Sequence, residues 1–154
     1  MTKDNQHTKK IFETRRAPGF LFNALSKAYD AHTTHCLKPF NLSAAQWPVL
    51  DQIYLNPGIN QKELAKLCLR DPSTLVNAID TLEKNGLVRR ESDANDRRAF
   101  KLFVTEKGSE TRKSAFEVTH QLFDTVTEEL SQEEIDQLYD TCLTIYFALQ
   151  KVKG

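Results

Sequence analysis

Glycine is scarce in this 154-residue chain, at five residues. That is too few for a phosphate-cradling loop or for the many tight turns of a β-rich enzyme. Cysteine is scarcer still: Cys36, Cys68 and Cys142 are odd in number and far apart. They make neither a disulfide framework nor a CxxC metal pair, so a reducing cytoplasm is the expected setting. No apolar run approaches the roughly 18 residues of a membrane-spanning helix, and no membrane partner is expected. Met1 to Lys10 is polar, with no apolar segment behind its lysines, and does not read as a signal peptide. Nucleophile–base spacing and paired carboxylates in an apolar setting are also missing, so the chain is expected not to be an enzyme. Net charge is zero, from 21 basic and 21 acidic side chains.

What is present suits one folded domain spanning residues 1–154, with 40% hydrophobic and 27% charged residues. The neutrality is a cancellation. Residues 1–59 carry 7 basic and 4 acidic side chains, residues 60–113 carry 12 and 9, and residues 114–154 carry 2 and 8. A basic middle with an acidic tail implies that only part of the surface faces a polyanion.

Apolar spacing and cap residues predict mostly helix. Pro18 opens a helix to about Cys36, with Leu21, Leu25, Ala28, His32 and His35 on one face. Pro39 ends it. Ser43 with Gln46 reads as a capping box for a second helix, in which Trp47, Leu50, Ile53 and Tyr54 share a face. After the turn Asn56-Pro57-Gly58, Asn60 and Glu63 form another capping pattern, and Asp71-Pro72 starts the next helix. That helix turns Leu75, Ile79 and Leu82 inward and stops at Asn85-Gly86. The pair reads as a helix-turn-helix of two helices of about a dozen residues each. Leu87–Glu91 and Phe100–Val104 then read as two strands of a hairpin around a polar loop. Thr105 caps a long helix to about Leu130, and Ser131 with Glu134 caps the last. Phe116, Thr119, Phe123, Val126 and Leu130 keep a heptad rhythm, as do Ile135, Leu138, Cys142, Ile145, Leu149 and Val152. Such stripes are packing seams, within the chain or toward a partner chain.

A helix-turn-helix followed by a basic-tipped hairpin is a winged helix, mainly α with a small β-hairpin wing. One helix fits the major groove while the hairpin loop reaches the minor groove or phosphates. The outward face of the recognition helix presents Ser73, Thr74, Asn77, Thr81 and Lys84. Ser and Thr can bond phosphates or base edges, Asn can bond adenine bidentately, and the first turn offers backbone N–H groups to a phosphate. Arg97 and Arg98 sit at the wing, where guanidinium groups suit a narrow minor groove, and Asp96 can hold Arg98 in place.

Asn60 to Gly108 resembles the MarR (multiple antibiotic resistance regulator) family of winged helix-turn-helix transcription regulators. The resemblance is carried by Asp96-Arg97-Arg98-Ala99-Phe100 through Thr105 and by Leu82-Glu83-Lys84-Asn85-Gly86-Leu87-Val88. Leu42-Ser43 through Trp47 to Leu50 is similar to the family's second helix. The resemblance implies a homodimer built from helical dimerisation regions at 18–38 and 105–152, with a winged helix-turn-helix DNA-binding lobe at 43–104. It implies binding of double-stranded DNA at a pseudo-palindromic operator, mostly as a repressor, and release when a small aromatic or phenolic effector binds near the junction of dimer and lobe. Phe20, Tyr29, Trp47 and Phe116 are the aromatic side chains for such an effector pocket, with core packing as the alternative. The chain departs from the family at Asn77, where a basic residue is common, and at Val76, where a small polar one is. It also lacks the early cysteine of the peroxide-sensing branch, its stretch there being Phe20-Leu21-Phe22-Asn23.

No cofactor and no metal site is expected. His32 and His35 have ligand spacing but no third ligand nearby. Cys36 and Cys68 read as small buried hydrophobes and Cys142 as core. Two alternatives stay open: a winged-helix module for protein partners without specific DNA binding, and a regulator with metal or thiol input.

Overall fold

The computed structural model describes residues 3–15, 17–92 and 100–152. Helix α1 (Lys3–Arg15) covers a polar segment in which no apolar period predicts a helix. Helix α2 (Pro18–Leu37) opens at its proline, whose missing N–H is one that a first turn leaves unbonded anyway. Its predicted stripe of Leu21, Leu25, Ala28, His32 and His35 lies exposed, while Thr33 and Leu37 are buried.

Ser43 and Gln46 make the reciprocal pair. The Ser43 N–H donates to Gln46 Oε1 at 3.0 Å and the Gln46 N–H to Ser43 Oγ at 3.3 Å. They close a turn ahead of α3 (Trp47–Leu55) rather than capping it as expected: the N-cap of α3 is Gln46, with no side-chain cap bond, because Pro48 in the first turn starts the helix later. Strand β1 (Ile59–Asn60) is too short to show a period in sequence. It is placed by Gly58, whose φ of 81° turns the chain so that its N–H donates to the Leu102 carbonyl at 2.9 Å. Asn60 then caps α4 (Gln61–Leu67) by accepting from the Glu63 N–H at 2.9 Å. Helix α4 has 7 residues, about half the expected length. Helix α5 (Pro72–Lys84) buries Leu75, Ala78, Ile79 and Leu82 and ends before Gly86, whose φ of 72° is the left-handed turn that glycine takes without strain.

Strands β2 (Val88–Ser92) and β3 (Phe100–Val104) pair from Val88 opposite Val104 to Ser92 opposite Phe100. With β1 they form an antiparallel sheet of order β1-β3-β2. Helix α6 (Glu106–Val126) is capped by Thr105, whose Oγ1 accepts from the Gly108 N–H at 3.0 Å. It stops short of the expected Leu130. Thr125 and Thr127 hydroxyls donate back to the Gln121 and Phe123 carbonyls, a bonding pattern that competes with helix continuation. Helix α7 (Gln132–Lys151) carries the complete Ser131–Glu134 capping box.

One apolar core holds the middle of the chain. Val49, Leu50 and Ile53 of α3 meet Leu64 of α4, Leu75, Ile79 and Leu82 of α5, and Val88 and Leu102 of the sheet. Leu37 from α2 and Ala115 from α6 close it. Tyr54 does not join that core with its neighbours on α3; it stays 40% exposed, its ring beneath the Arg112 guanidinium. The helical flanks are built differently. Helix α7 buries none of its residues: Leu138 is 48% exposed and Leu149 63%. Cys142, expected in the core, is exposed, because nothing in a single chain covers its stripe. Among the described residues no helix is long and apolar enough to cross a membrane.

Candidate nucleic-acid interface

Burial of Leu75, Ala78, Ile79 and Leu82 leaves α5 with one free side. On it Ser73, Thr74, Asn77 and Lys84 are exposed and Thr81 is partly so. The Thr81 hydroxyl donates to the Asn77 carbonyl at 2.8 Å, which leaves its oxygen as an acceptor. At the N-terminus of α5 Pro72 has no N–H, and the Thr74 N–H donates to the Asp71 carbonyl at 3.1 Å. That leaves the Ser73 N–H for an anion, fewer donors than the sequence reading expects. The wing-tip residues Asp96, Arg97 and Arg98 lie outside the described residues.

The root of the wing is tied to the recognition helix by a residue that the sequence reading missed. Arg90 on β2 forms ion pairs with both Asp80 and Glu83 on α5, and its own N–H donates to Glu83 Oε1 at 3.2 Å. Burial opposes the charge, but the bonds to the two carboxylates outweigh it, so the Arg90 pKa sits above its ordinary value. These bonds cross-link the sheet to α5. Nearby, Arg89 pairs with Glu91 and lies 4.8 Å from the centre of the Phe103 ring. The signal for Arg90 was present as two acids one helical turn apart, just before the Gly86 turn and a basic strand.

A second basic feature was also missed. Lys62, Lys66 and Arg70 follow one another at spacings of four along α4 and the turn after it. With Thr74 of α5 and Tyr146 and Gln150 of α7 they line an open groove of about 800 Å³. Leu69, 71% exposed and with a φ of 52°, forms the turn between the two helices.

The four aromatic candidates fall in different settings. Phe20 meets Phe12 with ring centres 5.5 Å apart and planes tilted by 47°, and Tyr29 is exposed on α2. Trp47 packs against the lobe core, and Phe116 lies under the Arg112 guanidinium and 4.0 Å from the His120 ring. Burial pushes the Cys68 thiol pKa up against the pull of Arg70, and its Sγ donates to the Pro48 carbonyl at 3.9 Å. His32 and His35 are exposed, and among the described residues no three His, Cys, Asp or Glu gather as a metal site.

A helix-turn-helix whose second helix leaves a polar face free, backed by a three-stranded sheet, defines the winged-helix class of nucleic-acid-binding lobes. The MarR family model matches residues 42–100. The chain is similar to the transcriptional repressor CouR bound to a 23-mer DNA duplex, with 30% identity over 87% of this chain and 95% of that one and a TM-score of 0.81. It is also similar to wild-type apo MarR from E. coli, at 26% identity over 82% and 94% of the two chains and a TM-score of 0.68. Its fold matches MepR of the S. aureus MepR–DNA complex, at 23% identity over 86% and 98% and a TM-score of 0.81. The chain belongs to the MarR family of transcription regulators.

Proposed function

We propose that the chain works as a homodimer that reads a pseudo-palindromic operator in double-stranded DNA and represses transcription there. As a MarR-family member it is a DNA-binding transcription regulator, and that family is in general non-enzymatic. The observation that carries the reading is the free polar face of α5 in a chain whose fold is similar to that of CouR, a repressor solved on DNA. Ser73, Thr74, Asn77, Thr81 and Lys84 are the proposed groove and phosphate contacts, with Asp96, Arg97 and Arg98 at the wing. Residues 43–104 form the proposed DNA-binding lobe, and 18–38 with 105–152 the dimerisation region, where exposed apolar stripes await a partner. Release by a small aromatic or phenolic effector, drawing on Phe20, Tyr29, Trp47 and Phe116, belongs to the same proposal, as does a cytoplasmic location beside the chromosome.

The test is fluorescence anisotropy with the duplex upstream of the chain's own gene, beside a scrambled duplex, at two salt concentrations. The upstream duplex is expected to bind more tightly, with affinity falling steeply as salt rises. Arg98→Ala is expected to weaken binding and lower the salt slope by about one while the dimer persists. Failure to bind either duplex at low salt would overturn the reading.

A further inference from the structure

The geometry points to Arg112 as a positioning residue that sets the angle between the DNA-binding lobe and the dimerising helix, and thereby the half-site spacing that the dimer accepts. The inference rests on the dimeric DNA-binding reading and gives it a specificity determinant outside the DNA face.

Helix α6 belongs to both regions. Its first turn is anchored to the lobe: the Thr105 N–H donates to the Leu87 carbonyl at 3.0 Å, and the Thr105 hydroxyl to the Gly86 carbonyl at 2.7 Å. Gly108 lies so close to the Leu87 backbone that a Cβ there would overlap the carbonyl oxygen. Beyond that turn α6 meets the lobe through Ala115, fully buried in the core, and through Val118 packed against it, apolar contacts that set no direction by themselves. The second anchor comes a turn later and reaches a different element. Arg112 Nε donates to Asp51 Oδ1 of α3 at 2.8 Å, and a terminal guanidinium nitrogen lies 2.7 Å from the same oxygen. The guanidinium is held 4.6 Å from the ring centre of Tyr54 and 4.6 Å from that of Phe116.

This arrangement is stiff for stated reasons. The side chains of Arg112 and Asp51 are only 17% and 21% exposed, so water screens the pair weakly. A planar guanidinium that donates to one carboxylate oxygen and lies 4.6 Å from the centres of two aromatic rings has few orientations left. Tilting a lobe by about 10° about such a joint moves a point about 20 Å away by about 3.5 Å, close to the rise of one base pair. Rigidity at Arg112 therefore translates into discrimination between operators that differ by one base pair between half-sites.

The experiment uses the full chain. An operator is first selected from a random duplex library by the unaltered protein, and affinity is then measured on versions with one or two base pairs inserted or deleted at its centre. The unaltered protein is expected to lose about tenfold or more per base pair of change, since each step also rotates one half-site about the duplex axis. Arg112→Ala is expected to lose about tenfold on the selected spacing and to vary by less than about threefold across the series. Arg112→Lys, which keeps the cation without its planar fork, should fall between them. Asp51→Asn, nearly isosteric, is expected to flatten the profile in the same direction and serves where the alanine variant does not fold. A spacing profile for Arg112→Ala and Asp51→Asn that runs parallel to that of the unaltered protein would overturn the inference, since a merely stabilising pair lowers all affinities alike. An unaltered protein that selects no duplex would instead overturn the DNA-binding reading, and the spacing role with it.

Discussion

The lobe around α3–α5 and the helical flanks contain similar apolar residues and treat them in opposite ways. In the lobe Leu50, Ile53, Leu64, Leu75, Ile79 and Leu82 are fully buried. On the flanks Leu25, Val126, Phe147 and Leu149 are each more than half exposed. Exposed apolar stripes of this extent mark an interaction surface, and the heptad spacing of α6 and α7 suits a helix from a second copy. Within one chain the lobe's core is closed, while the apolar stripes of the flanks stay uncovered.

That contrast can be broken most completely on the flank. Leu138→Glu combined with Leu149→Glu places charges in the α7 stripe. The expected result in size-exclusion chromatography with light scattering is a monomer whose lobe still unfolds cooperatively. The next largest effect belongs to the lobe. Gly108→Ala drives a methyl group into the Leu87 carbonyl, a backbone atom with little room to yield. It is expected to lower stability by about 2–3 kcal/mol in urea unfolding. Asn60→Ala removes the acceptor for the Glu63 N–H and is expected to cost about 1 kcal/mol in the same assay.

The smallest effect sharpens the flank side. The Glu134 carboxylate accepts from the Ser131 N–H and hydroxyl, each at 2.8 Å, and these bonds hold its pKa below the ordinary 4.5. A depressed carboxylate pKa means that the cap is fully formed above that ordinary value and is lost as pH falls through the lowered one. Amide protection in the first turn of α7, measured against the intrinsic exchange rate at each pH, should fall on acidification through this range. In Ser131→Ala that protection should already be low at neutral pH.

Sequence made many element boundaries legible, in the lobe and on the flanks, because their signals are local. Asn60, Gly86, Thr105 and Ser131 each act within three or four residues of chain, and each ends or starts an element as predicted. What escaped depends on distant partners. Strand β1 exists because Ile59 meets Leu102, and two residues carry no period. Arg112 gains its role from Asp51, 61 residues away. Cys142 shares its stripe with leucines and so reads as core, yet a stripe looks the same whether its cover comes from its own chain or from another. The outward face of α5 was readable as soon as its buried face was, while the wing tip at Asp96–Arg98 rests on the sequence pattern alone.

The reading to be tested is that the exposed stripes of the flanks pair two copies of the chain, each carrying its own lobe. Sedimentation velocity of the full chain at micromolar concentration, free and with its selected duplex, tests it directly. A dimer of the 17.7 kDa chain that binds one duplex as a dimer is the expected result. A monomer in both samples would contradict the account.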